Sequence, residues 1–111
     1  MSNLAHLFAA LSDDTRLKVV EHLIANGEQP AGALTELAGI SAPAVSRHLK
    51  VLREADLLSQ RVVGTHRYYS VRPEALRTIS DWTIEHRAFW SGSLDKLDTL
   101  LAIDPTGKDT E

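Results

Sequence analysis

Cysteine is missing from all 111 residues, which excludes disulfides, thiolate metal centres, iron–sulfur clusters and cysteine nucleophiles. There is no run of about 18 uncharged apolar residues, the least a membrane-crossing helix needs. Met1-Ser2-Asn3 leads into an amphipathic segment, not into a basic region followed by an apolar one, so the expectation is an unprocessed cytoplasmic chain with no membrane partner. No nucleophile triad, phosphate loop or paired-carboxylate pattern occurs, and neither an enzyme activity nor a cofactor is expected. Positive charge is not in surplus either: 12 Lys and Arg stand against 15 Asp and Glu, for a formal net charge of −3. That balance argues at first against a partner as acidic as nucleic acid, whose non-specific affinity comes largely from cations displacing counterions.

The distribution of charge reverses this inference. Between Ser41 and Arg72 the basic residues Arg47, Lys50, Arg53, Arg61, Arg67 and Arg72 are opposed only by Glu54 and Asp56, a local net of +4 that leaves −7 on the remainder. Segregation of this kind concentrates positive potential on one segment while the body stays acidic.

Periodicity organises the rest. Leu4, Leu7, Phe8 and Leu11 recur at helical spacing, with Ser2 or Asn3 available as a cap. Ser12-Asp13-Asp14 breaks that run and offers oxygens to a second helix over Thr15 to Ala25, closed by Asn26-Gly27, with Leu17, Val20, Leu23 and Ile24 expected inward. Glu28-Gln29-Pro30 reads as a polar link. A short third helix is expected over Ala33 to Ala38, burying Leu34 and Leu37. Gly39-Ile40-Ser41 then supplies a turn and a cap for a fourth helix from Ala42 to about Ala55, with Pro43 tolerated in its first turn. Leu57 to Val63 and His66 to Val71, joined at Gly64-Thr65, predict a β-hairpin in which Tyr68 and Tyr69 point to opposite faces. From Pro73 on the pattern is helical again, with a stripe through Leu76, Ile79, Trp82, Phe89, Trp90, Leu94, Leu97, Leu100 and Leu101, interrupted near His86, that exceeds what so small a core needs. Ser91-Gly92-Ser93 marks an expected weak point in that helix. The fold class is mainly α with some β: a helix-turn-helix, a hairpin wing and a long C-terminal helix, in one domain over residues 1–103 with a polar, disordered tail over 104–111.

Within the fourth helix the core stripe is Val45, Leu49 and Leu52. The remaining faces present Ser41, Ala42, Pro43, Ala44, Ser46, Arg47, His48, Lys50 and Arg53. A major groove is about 12 Å wide and admits one helix, whose first residues reach the base edges. Small side chains at Ala42 and Ala44 allow close approach, Arg47 suits a bidentate contact to guanine, and Ser46 and Lys50 suit phosphates. His48 adjoins this surface, where it can pack or touch phosphate. In the hairpin Arg61, Thr65, His66 and Arg67 are placed to meet phosphates or the adjoining minor groove.

The segments Leu7-Phe8-Ala9-Ala10-Leu11-Ser12-Asp13-Asp14-Thr15-Arg16-Leu17 and Val45-Ser46-Arg47-His48-Leu49-Lys50-Val51-Leu52-Arg53-Glu54-Ala55-Asp56-Leu57-Leu58, followed by Gly64 and Arg67-Tyr68-Tyr69, resemble the ArsR family of repressors in order and spacing. The resemblance implies a homodimer joined by its first and last helices (residues 3–12 and 74–103), with a DNA-binding core over 30–72 that meets double-stranded DNA at an inverted repeat. Leu4, Leu7, Phe8, Trp82, Phe89, Trp90, Leu94 and Leu97 are then the expected dimer contacts. Cysteine ligands that metal-sensing members carry near the segment matching Gln29 to Leu34 are absent, and no metal site is assigned. Two alternatives stay open. One is a sensor using Asp81, Glu85 and His86, or an apolar inducer bound among Trp82, Phe89 and Trp90. The other is a winged helix that binds protein in place of nucleic acid. The sequence names neither operator nor inducer.

Overall fold

The computed structural model of the chain describes residues 3–102; Ser2 as a cap and the tail from Asp104 lie outside them. In chain order the elements are α1 (Asn3–Leu11), α2 (Asp14–Asn26), β1 (Gln29–Pro30), α3 (Ala31–Ala38), α4 (Ala42–Glu54), β2 (Leu58–Val63), β3 (His66–Val71), α5 (Pro73–Glu85) and α6 (Arg87–Ala102). They gather into two compact units, Met1–Ile79 and Ser80–Glu111. Among the described residues no helix is long and apolar enough to cross a membrane.

The first unit is a helical cluster on a three-stranded antiparallel sheet of order β1-β3-β2. Its core centres on the fully buried Leu7, Val19, Leu34, Val45, Leu52 and Leu57. Caps place the helices as the sequence predicts. Asp13 accepts the Arg16 amide at 3.1 Å to start α2, and Ser41 accepts the Ala44 amide at 3.3 Å to start α4. Gly39, at φ 68°, closes α3 in the left-handed conformation a side chain disfavours.

Three expectations about this unit are corrected. Gln29 and Pro30, expected in a polar link, instead form β1 and pair with Tyr69 and Tyr68 at the sheet edge, where proline's missing donor is tolerated. Leu17 and Ile24 do not face inward in α2 but are 41% and 52% exposed. The buried face is Val19, Val20 and Leu23, because α2 must pack on β3, α3, α1 and α4 together. Leu37 is half-buried, and α3 is anchored by the fully buried Leu34 with Ala31 and Ala38 packed beside it.

The end of α4 carries a feature the sequence did not announce. Leu57 N–H donates to the Leu52 carbonyl and Asp56 N–H to that of Arg53, both at 3.0 Å, the pairing of a Schellman motif. Its left-handed residue, usually glycine, is Asp56 at φ 61°. Leu52 and Leu57, both fully buried, supply the apolar contact that accompanies such an ending, and the chain passes at once into β2.

In the second unit, the helical stripe breaks at His86 and not near Gly92, through which α6 runs unbroken. The cause is local. His86 Nδ1 donates to the Trp82 carbonyl at 2.8 Å and the Trp90 indole N–H to the Thr83 carbonyl at 3.1 Å. Side chains thus take up carbonyls in the last turn of α5. The Trp82 and His86 rings also pack, with centroids 4.8 Å apart.

Candidate nucleic-acid interface

The wheel of α4 divides as its periodicity requires. Val45, Leu49 and Leu52 are buried, while Ala42, Pro43, Ser46, Arg47, Lys50 and Arg53 are all exposed, as is the cap Ser41. Ala44 and His48 are half-buried on the flank. Val45 and Leu49 tie the helix into the core, so the opposite face is held rigidly outward.

The hairpin is equally well defined. Val63 pairs with His66 across the two-residue loop Gly64-Thr65, in which Gly64 adopts φ 60°, the first-position glycine such loops favour. Tyr69 turns inward, 5% exposed, with its hydroxyl accepting from Gln60 Nε2 at 3.1 Å. Tyr68 is half-buried on the other face.

Between α4 and the hairpin lies an open concavity of about 880 Å³. Arg47, Lys50 and Arg53 line it from α4, Arg67 from β3, and Arg72 from just beyond β3, against Glu54 and Asp56. Cations on two separate elements therefore converge on one concave surface, a shape and charge suited to a polyanionic strand. Arg72, outside the expected contact set, belongs to this surface; its only signal in the sequence was its place in the basic segment. Thr65 and His66 are exposed at the tip of the wing.

Two expected contacts have partners within the chain. The Arg61 guanidinium forms a two-pronged pair with Glu28, Nε to Oε2 at 3.1 Å and Nη2 to Oε1 at 2.8 Å, and stacks 4.7 Å from the Tyr68 ring centroid. These donated bonds hold the Glu28 carboxyl below the usual carboxylate range. Arg61 thereby braces β2 to the segment before β1. His48 faces the α1–α2 corner: its Nδ1 lies 3.2 Å from Arg16 Nη1 and 3.9 Å from Asp13 Oδ2. The amide of Arg16 holds the Asp13 carboxyl low, and the charge of the Arg16 guanidinium acts in the same direction.

Of the expected dimer residues, Leu7 is fully buried in the core of its own chain and presents no surface. Leu4 is half-buried. Phe8, Trp82, Phe89, Trp90, Leu94 and Leu97 are 40–77% exposed. Among the described residues no three His, Asp or Glu side chains gather to hold a metal, so Asp81, Glu85 and His86 form no site within the chain.

A family profile described as a helix-turn-helix domain matches residues 11–61. The HTH-type transcriptional regulator Rv2034 of Mycobacterium tuberculosis is 42% identical over 104 residues, covering 91% of this chain and 89% of that protein. The transcriptional repressor SdpR of Bacillus subtilis is 34% identical over 79 residues, covering 71% of this chain and 87% of the repressor. Among solved structures, a homodimeric winged helix-turn-helix DNA-binding domain from Mycobacterium bovis, described as a possible ArsR-family regulator, superposes with a TM-score of 0.61. It is 25% identical, over 76% of this chain and 83% of that domain.

Proposed function

The chain belongs to the ArsR family of winged helix-turn-helix transcriptional regulators, and from that premise we propose that it represses transcription in the cytoplasm by binding an inverted-repeat operator as a homodimer. The observation that carries this is the cationic concavity formed where the exposed face of α4 meets the wing.

In this role the first turns of α4 enter a major groove. Ala42, Pro43 and Ala44 allow close approach, and Arg47 reads a guanine through its forked donors. Ser41, Ser46, Lys50, Arg53 and Arg72 hold phosphates on either side, and Thr65, His66 and Arg67 of the wing follow the backbone to the adjoining minor groove. Residues 30–72 thus carry the DNA contacts. The exposed Phe8, Trp82, Phe89, Trp90, Leu94 and Leu97, with Leu4, join two protomers; that the similar Mycobacterium bovis domain is homodimeric supports this state. A two-fold dimer presents its recognition helices to successive major grooves about 34 Å apart, which is why the operator is an inverted repeat.

Selection of bound sequences from random duplexes tests the proposal. The expected product is an inverted repeat with half-sites about one helical turn apart. Failure to enrich any sequence over bulk DNA refutes it, and a salt-independent protein partner in its place favours a protein-binding winged helix.

A further inference from the structure

Arg16 touches three helices at once. It lies in α2; its Nε donates to the Ala10 carbonyl of α1 at 2.6 Å, and its Nη1 approaches Nδ1 of His48 in α4 at 3.2 Å. Ala10 is in the last turn of α1, where carbonyls lack partners within the helix. A guanidinium is always charged and can only donate. The contact therefore makes His48 Nδ1 an acceptor and places the ring proton on Nε2. Asp13 Oδ2, at 3.9 Å, is too far from Nδ1 for a hydrogen bond. Both Arg16 and His48 are half-buried, so the bond is partly shielded from water.

The direction of His48 is decisive. At about 100° per residue, it projects roughly opposite to the mean direction of Ser46, Arg47 and Lys50 around α4. It is thus on the flank of α4 turned away from those residues. There its ring meets Arg16 of α2 and, farther off, Asp13, the residue that caps α2, and through Arg16 it is linked to the end of α1.

We propose that Arg16 and His48 are positioning residues for operator recognition: the Ala10–Arg16–His48 chain fixes the rotation of α4 relative to α1, an assignment that rests on the dimeric DNA binding proposed above. Two heads that must meet two half-sites in register need a fixed angle between recognition helix and dimer helix. Phosphate contacts to random duplex need no such register, since they recur along every strand.

Four variants of the full chain test this: His48→Leu, which keeps bulk and removes the acceptor; His48→Asn, whose amide oxygen can take the place of Nδ1; Arg16→Gln; and the double variant His48→Leu with Arg16→Gln. Affinity is measured for the selected inverted repeat and for a random duplex of equal length, with the thermal midpoint recorded beside them. The expected result for His48→Leu is an operator affinity lower by about tenfold, with random-duplex affinity and thermal midpoint close to wild type. His48→Asn recovers most of the loss. Arg16→Gln behaves like His48→Leu, and the double variant is no worse than either single one, as for two members of one linkage. The proposal is overturned if His48→Leu binds the operator like wild type, if it loses both affinities in equal proportion, or if asparagine rescues nothing. A wild-type protein that does not distinguish the selected repeat from random duplex removes the DNA-binding role itself.

Discussion

Replacing Arg67 by alanine removes one cation from the wing side of the α4–hairpin concavity, and in a dimer it does so twice. Arg67 is exposed and sits opposite Val62 in the hairpin, so truncation leaves the core untouched and the thermal midpoint near wild type. If each Arg67 neutralises one phosphate, two condensed counterions fewer are released per complex. The slope of log affinity against log salt then becomes shallower by about 1.8, at roughly 0.9 per phosphate contact. Between about 50 and about 200 mM salt the advantage of wild type over Arg67→Ala shrinks by roughly twelvefold. Fluorescence anisotropy of a labelled operator titrated across that range reads both lines. Parallel lines refute the assignment of Arg67 to the DNA backbone. A change of about 0.9 refutes the symmetric dimer, since one protomer alone is then making the contact.

Three further outcomes follow from the geometry. Asp56→Val, which puts a β-branched side chain at φ 61°, lowers unfolding free energy by about 1–2 kcal/mol in chemical denaturation, whereas Asp56→Gly does not lower it. Leu97→Glu places a carboxylate in the α6 stripe and weakens self-association by roughly two orders of magnitude or more, read by sedimentation; an unchanged dimer refutes the interface. Because the folded-state carboxyl of Asp13 is held low, its contribution to stability is complete above the ordinary carboxylate range and lost as pH falls through its depressed value. Asp13→Asn, which keeps a capping oxygen but cannot titrate, therefore shows a shallower decline in stability below about pH 4. Equal slopes in the two proteins contradict the role of that carboxylate.

The parts of this fold that were legible in the sequence are those in which a local rule and the tertiary structure agree. Val45, Leu49 and Leu52 repeat at a helical period and are buried; Ser41 and Asp13 are capping types and cap; Gly64 sits where a two-residue hairpin loop needs it. What escaped was decided by distant neighbours. Gln29 and Pro30 carry no strand pattern and become β1 only because β3 offers an edge. Val19 displaced Leu17 and Ile24 in the core because the surrounding elements, not the apolar count, chose the face of α2. The site followed the same division. Arg47 and Lys50 were found from the wheel of one helix, whereas the partners of His48 and Arg61 lie 32 and 33 residues away along the chain. In the last helix the interruption of the apolar stripe near His86 marked the break, where the His86 and Trp90 side chains take main-chain carbonyls, whereas the glycine signal at Gly92 did not.

None of the described side chains of α6 is buried, and Phe89 is 77% exposed. A helix of 16 residues has little stability of its own in water. In the dimer proposed above, its order is supplied by the partner's surface, and folding of this segment becomes a second-order process in protein concentration. For a repressor, the number of copies in the cell sets how much of the chain is structured as well as how often an operator is occupied. Occupancy therefore rises more steeply with synthesis than a preformed dimer allows, which sharpens the response of a controlled gene to the regulator's own abundance.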